Sequence, residues 1–511
     1  MLPLTKIQQE DDLSNLSYPP DPWQMDQAEQ YMLGQTEAAF FEGFSQTTPA
    51  ETGTADNRSI SEAVPEATSR NAYFASYPQG QFPEAANFPP LVARILSYAY
   101  SVIVPLTWPK EMEKMAWTYE ITRTLDDLAA INEDSCYASA TLCYYATLMA
   151  AATNDMDLTS QACFFQTQAM SELRQRVTSH SGPYESVTLK AILKLFSAET
   201  TLDNTSSARI HLKMLRNVIS AEGGVILLDS WYRENLLSAD CYFALKYQTR
   251  PLFPASEWTP GPLSQPWKAR LATARIIEDH APSVDMGIEH ATLRTIISDL
   301  RELFKVEGYI RSHDVPSGDQ LLRWRQIRKF DCISRLADHQ LSVKIYPHLY
   351  FRPKLQLAIC AAIALMTAMV LGSPEPVRFG STLVTELHGK VDDARAEVGQ
   401  GVGDNQDRDE EESDPTKVTF WFLYVGMLGE KTHPVPQGVP WFEQEFLRAA
   451  DELELYTQKD QENMVKYFLY SSALFEEIQN KHEHRNQEIR KGVYEACGMS
   501  WRLPLSSSVT A

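Results

Sequence analysis

The sequence predicts an all-α protein, a multi-helical bundle of packed antiparallel helices with a long disordered N-terminal tail. Two observations carry this. From about Phe88 onward apolar residues recur at steps of three and four, whereas the period-two alternation of Val, Ile and Thr that marks half-buried strands is scarce. Before that point the chain is rich in Pro, Ser, Thr, Gln and Glu and shows no sustained periodicity, a composition that buries too little apolar surface to fold.

These patterns divide the 511 residues into a tail over 1–86, a helical body over 87–495 and a C-terminal tail over 496–511. The tail holds thirteen acidic residues against Lys6, Arg58 and Arg70. Between Asp21 and Phe44 its acids are interspersed with Trp23, Tyr31, Phe40, Phe41 and Phe44, the pattern of activation-like segments that keep large apolar groups solvated and available. A short amphipathic helix packed on the chain's own body gives the same pattern.

In the body, Leu189, Ile192, Leu193 and Phe196 form one stripe, following Gly182-Pro183. Ala208, Leu212, Leu215 and Ile219 form the next, with Asp203 and Asn204 as cap candidates and Gly223-Gly224 suited to the left-handed termination. Residues 249–267 carry five prolines and cannot be one helix. Leu355–Gly372 is 18 residues without a charge, at the lower edge of membrane-spanning length. Its alanines, Gln356 and Thr367 point instead to a buried core helix, so no membrane association is expected. Residues 391–416, acidic and Gly-rich, read as a surface loop. Phe442, Phe446, Ala449 and Leu453 make a last stripe, and no period of 30 to 45 residues marks a repeat array.

The net charge of −21 disfavours direct contact with nucleic-acid phosphates. The seven cysteines are scattered without C-x-x-C spacing, as expected of buried small hydrophobes in a reducing compartment. The N-terminus lacks the charged and apolar regions of a secretory signal.

The constellations that would carry chemistry are incomplete. Glycines 399, 401 and 403 are followed by Asp404 where a dinucleotide fingerprint needs its last glycine. Gly498-Met499-Ser500-Trp501-Arg502 has Arg where a nucleophile elbow needs Gly. Asp126-Asp127 lacks a third carboxylate one turn on, and Asn154-Asp155 has Leu158 where a hydroxyl ligand is needed. His482 and His484 face apart on a helix, and His211 sits beside an apolar stripe. No catalytic, metal or cofactor residue is therefore assigned, and no cofactor is expected. The basic cluster Arg323, Arg325, Arg328 and Lys329 around Trp324 is a candidate surface patch for phosphates or an import receptor. It also suits a solvated helix face flanking Trp324, Ile327 and Phe330.

Several segments, in order, resemble the regulatory region of fungal-specific transcription factors of the zinc-cluster type. In Val187–Gly224 the family's acidic residue near a helix end, its A-x-x-H-L-x-x-L helix and its closing Gly-Gly are matched by Glu199, Ala208, His211, Leu212, Leu215, Gly223 and Gly224. Leu236–Pro254 is similar to the helix in which an aspartate, here Asp240, precedes a P-x-F-P-like exit. Phe420–Leu455 resembles the family's C-terminal pair, and Ala140–Asp155 fits the helix before the first motif. The family's zinc-binding cysteines have no counterpart, since no cysteine precedes Cys136.

The resemblance implies a nuclear regulator or co-regulator, not an enzyme, that works through other transcription factors or the transcription machinery and meets DNA only through a partner. A small-molecule effector held between helices is a further expectation. The alternatives are a small-molecule-sensing binding protein derived from the same family and an all-α enzyme of unrecognised type.

Overall fold

The computed structural model describes residues 89–103, 130–132, 134–179, 184–274, 280–313, 315, 320–372, 376–401, 415–433 and 440–478. All lie in one of the chain's two compact units, Ala67–Ala511. Among the described residues there is no strand, and the expected all-α bundle is what the chain forms.

Helix α1 (Pro90–Tyr98) packs on α2 (Ser135–Thr153), which forms an antiparallel hairpin with α3 (Met156–Ser179). Their junction shows how polar residues set the geometry. Asn154 takes the left-handed conformation, φ 54°, that ends α2. Asp155 then accepts the N–H groups of Asp157 and Leu158 at the start of α3, so this pair is a helix junction and not a ligand set.

The second hairpin joins α4 (Ser186–Thr201) to α5 (Thr205–Ala221). Asn204 caps α5 through the Ser207 N–H, as its residue type suggests. Ala208, Leu212, Leu215 and Ile219 are all buried. Gly223 and Gly224 have φ near +100°, and the Gly224 N–H reaches back to the Ile219 carbonyl at 2.8 Å, closing α5 in a Schellman-type turn. Helix α6 (Ser230–Tyr247), capped by Asp229, follows and packs on α4.

The proline-rich stretch then runs irregularly, with one 3-10 turn at Ala255–Glu257, before α7 (Gln265–Thr273). Helices α8 (Ala291–Ser312) and α9 (Gln320–Ile345) pack on each other, and α9 also packs on α6. Helix α10 (Pro353–Leu371) contacts α8, α9, α11 (Pro376–Gly401) and α12 (Pro415–Thr432). It is long and apolar enough to cross a membrane, yet 89% of its apolar window is buried inside the fold. Its polar members are satisfied within protein: the Thr367 hydroxyl donates to the Ile363 carbonyl, and Gln356 bonds His339 and the Phe351 carbonyl. Helices α13 (Trp441–Glu452) and α14 (Gln458–Val465) pack against α12, and a last helical stretch over 472–478 buries Leu474 and Ile478. Arg301 ties this end back to α8 by donating to the carbonyls of Ala281, Lys466, Tyr467 and Phe468.

Two expectations need correction. The loop expected over 391–416 is helical at both ends, since α11 continues to Gly401 and α12 begins at Pro415. Leu383, Leu387, Val391 and Ala394 are buried at spacings of four and three, and this apolar face holds α11 together through an acidic stretch. Cys163 is exposed, unlike Cys136, Cys143, Cys241, Cys332 and Cys360. Cys497, Asp126-Asp127, His482, His484, the 498–502 segment and both tails lie outside the described residues.

Candidate functional site

Among the described residues a dense grouping of charge lies between α8 and α9, and it is built by register. On α9, Arg328, Asp331 and Arg335 follow at steps of three and four and so share one face. That face meets Asp299 on α8. Arg328 reaches both carboxylates, at 2.7 Å to Asp299 and 2.8 Å to Asp331. Arg335 does the same at 2.6 and 2.9 Å, and the Thr259 hydroxyl donates to Asp331 at 2.7 Å. One turn earlier Arg325 bonds Glu307 at 2.7 Å, and Glu307 also holds Arg311.

Asp299, Asp331 and Cys332 bring their ligand atoms within 4.8 Å of one another, a grouping that could be taken for a metal site. The donor set argues otherwise. The carboxylates are occupied by two guanidiniums, which a cation would have to displace. Burial pushes the Cys332 thiol up to about 12, so a metal would have to release a proton from an unusually weak acid to use this sulfur. Burial works against the charge on Arg335, yet the groups around it, Asp331 and Asp299 included, hold its pKa above the ordinary arginine value. The grouping is a saturated ionic seam between two helices. Its cost is visible too, because the Nε–H groups of Arg328 and Arg335 are buried without a hydrogen-bond partner.

Lys329 stands beside this seam and turns the other way. It is 6% exposed, and its Nζ lies 3.5 Å from the carbonyls of Leu371 and Gly372 at the end of α10. Arg311 donates to the Val370 carbonyl at 2.8 Å, and the Tyr242 hydroxyl to Gly372 at 3.1 Å. Side chains from α6, α8 and α9 thus converge on one helix C-terminus, where donors and positive charge are stabilised by the helix dipole. Burial, with Arg325 nearby, pushes the Lys329 amine down to about 7. An amine of that pKa is nucleophilic at neutral pH, but this one is enclosed and faces backbone carbonyls, so its role in the fold is to cap α10.

The proposed basic surface patch is therefore corrected. Of its four members Arg323 is exposed, Arg325 and Arg328 engage carboxylates of α8, and Lys329 is buried. The Trp324 indole donates to the Gly261 carbonyl at 2.9 Å. A run of cations reads alike from sequence whether its counter-charges are solvent or a neighbouring helix. Asp299 and Arg335 were not among the candidates, although the cation–acid–cation spacing at 328, 331 and 335 is a readable signal. Trp23, Tyr31, Phe40, Phe41 and Phe44 lie outside the described residues.

The motif residues Glu199, His211 and Asp240 are all buried, and the two acids direct their oxygens into the scaffold. Glu199 is buried, accepts from Gln166 and Asn204, and accepts the Asn204 N–H on its own carbonyl, which fixes the α4–α5 turn. Burial raises its pKa, and the two amide donors pull against that. His211 is buried on α5, and burial lowers it to about 4, so it is neutral at physiological pH. Asp240 accepts the N–H groups of Leu252 and Phe253, pinning the proline-rich exit to α6.

Comparison with known proteins finds no family model, no curated protein and no solved structure that matches this chain.

Proposed function

We propose that this chain is a transcriptional regulator or co-regulator that acts through protein contacts made by its helical body, of the kind formed by the regulatory region of fungal zinc-cluster factors. The observation that carries this reading is where the motif residues sit. Glu199, Gly223 and Gly224 lie at the ends of α4 and α5, and Asp240, inside α6, reaches out to hold the proline-rich exit, so each fixes a change of chain direction with its side chain or its backbone conformation. Residues that follow in order for such reasons define a scaffold, which suits a protein that works by presenting surface. The saturated seam and the enclosed Lys329 support the same reading, since neither offers substrate an approach.

The test is to tether the full chain to an unrelated DNA-binding domain upstream of a reporter. A reproducible rise or fall in reporter output supports a regulator. Unchanged output from a fusion that is folded and nuclear overturns it. Direct DNA binding by the isolated chain at low salt would contradict the part of the proposal that places DNA contact on a partner.

A further inference from the structure

The connection between α9 and α10 carries the most concentrated exposed apolar surface among the described residues. Lys344, Ile345, Tyr346, Pro347, His348 and Leu349 are exposed in succession, and Phe351 follows. Ile345 is 47% exposed, Leu349 62% and Phe351 49%. Apolar side chains grouped at a loop tip expose surface that folding alone would bury, and such patches mark interaction sites.

The loop is held rigid from beneath. The Gln356 amide donates to the Phe351 carbonyl at 2.7 Å and its oxygen pairs with His339 at 3.0 Å. Tyr350 packs edge-on against His339, with ring centroids 5.5 Å apart, and lies beside His290 at 5.4 Å. Arg352 takes a left-handed conformation, φ 48°, at the start of α10 and pairs with Glu289 at 3.5 Å. A surface fixed in advance loses little entropy on binding.

Its charge is equally distinctive. Residues 339–374 contain no Asp or Glu, in a chain that has 67 of them. Lys344, His348, Arg352 and Lys354 therefore flank the apolar group. Lys344 donates to the neutral Gln248 amide at 2.8 Å. Lys354 meets Asp393 at 3.6 Å, but both are more than half exposed, so that pair is readily exchanged for another partner.

We propose that Lys344–Lys354 is a docking face for an acidic peptide carrying aliphatic and aromatic side chains. The assignment rests on the protein-contact reading above and names its partner class. Ile345, Tyr346, Leu349 and Phe351 receive the apolar side chains, while Lys344, His348 and Lys354 meet the carboxylates. An anionic bilayer offers similar chemistry, but as an extended sheet of negative charge it repels a body of net charge −21. A short peptide presents its few charges to the basic loop alone.

The experiment is a fluorescence-anisotropy titration of the full chain. The probe is a labelled synthetic peptide in which Asp and Glu alternate with Leu and Phe, compared with the same peptide carrying Asn and Gln for the acids. The acidic peptide is expected to saturate, and the neutral one to bind about tenfold more weakly or worse. Leu349→Ser combined with Phe351→Ser is expected to lower affinity about tenfold or more. Lys344→Glu with Lys354→Glu should weaken binding and flatten its salt dependence. If the serine pair lowers the melting temperature, Tyr346→Ser replaces it. Failure to saturate, or indifference to these substitutions, overturns the proposal. So does loop-dependent binding of phosphatidylserine vesicles without peptide binding, and so does a loop-dependent dimer in sedimentation. Reporter activity that survives in the serine variant discards this docking face alone, whereas a silent wild-type fusion discards the protein-contact reading itself.

Discussion

Asp240 accepts the backbone N–H of Phe253 at 2.8 Å from thirteen residues upstream, and its second oxygen takes the N–H of Leu252 at 2.9 Å. The carboxyl group is 1% exposed. Burial pushes it up to about 7, against the pull of the two N–H donors and Arg216. The folded state thus holds this proton more tightly than the unfolded chain, whose value is near 3.8. The stability so gained is complete below the unfolded value and is lost as pH rises through about 7. Asp240→Asn should flatten that decline in urea unfolding curves, while Asp240→Ala, which orphans two buried donors, should cost about 2–5 kcal/mol. An Asn variant with the wild-type pH slope would refute the assignment.

Lys329 should show the opposite slope. Its amine is depressed from 10.5 to about 7, so its contribution is complete above the unfolded value and is lost as pH falls through about 7. Wild-type stability relative to Lys329→Met should therefore rise between neutral pH and the ordinary lysine range. Arg311 and Tyr242 continue to hold the end of α10 in the variant. Parallel pH profiles for the two proteins would mean that Lys329 is solvated in the native state.

Much of the architecture was legible because it depends on local periodicity. The α4 and α5 stripes, the Asn204 cap and the Gly223-Gly224 termination all follow from residue types at fixed steps. The buried nature of α10 followed from its alanines and its isolated polar residues. What stayed hidden depends on residues far apart in sequence. Whether Arg328 faces water or Asp299 is decided by how α8 meets α9, which no single-helix pattern encodes. The end of α11 is hard to read locally because acidic and glycine residues over 391–401 mask the apolar stripe at 383, 387, 391 and 394. The loop between α9 and α10 is half legible: the acid-free run around it can be read directly, whereas exposure of Leu349 and Phe351 is a tertiary property.

The ionic seam yields a prediction about partnership. Asp331 is held by Arg328, Arg335 and Thr259, with its side chain 3% exposed. Asp331→Ala leaves two guanidiniums facing one carboxylate and should cost about 3–5 kcal/mol, more than a surface ion pair could. Adding Arg335→Met to that background should cost far less than the two single losses summed, a coupling that a double-mutant cycle in urea measures directly. Because the guanidiniums already saturate the carboxylates, neither zinc nor a chelator should shift the melting temperature. A metal-dependent rise would show that the seam opens to a cation.

Gly426 tests the packing at the other end of the body. A Cβ at this position of α12 would overlap the ring of Phe442, the second residue of α13. The ring cannot easily withdraw. Phe442 is fully buried, its backbone N–H is held by Glu430 at 3.0 Å, and Trp441 packs edge-on against it at 4.8 Å. Alanine is a better helix former than glycine by about 1 kcal/mol. Forcing a methyl group into a filled contact costs about 1–3 kcal/mol. The second effect should win, so Gly426→Ala is expected to destabilise the protein, contrary to its usual effect inside a helix. The cause can be separated from general disruption by shortening the ring. In a Phe442→Leu background the added methyl gains room, and Gly426→Ala should there become neutral or stabilising. Equal loss in both backgrounds would place the strain elsewhere, with Leu365 and Val384 against the neighbouring Gly429 as the next contact to test.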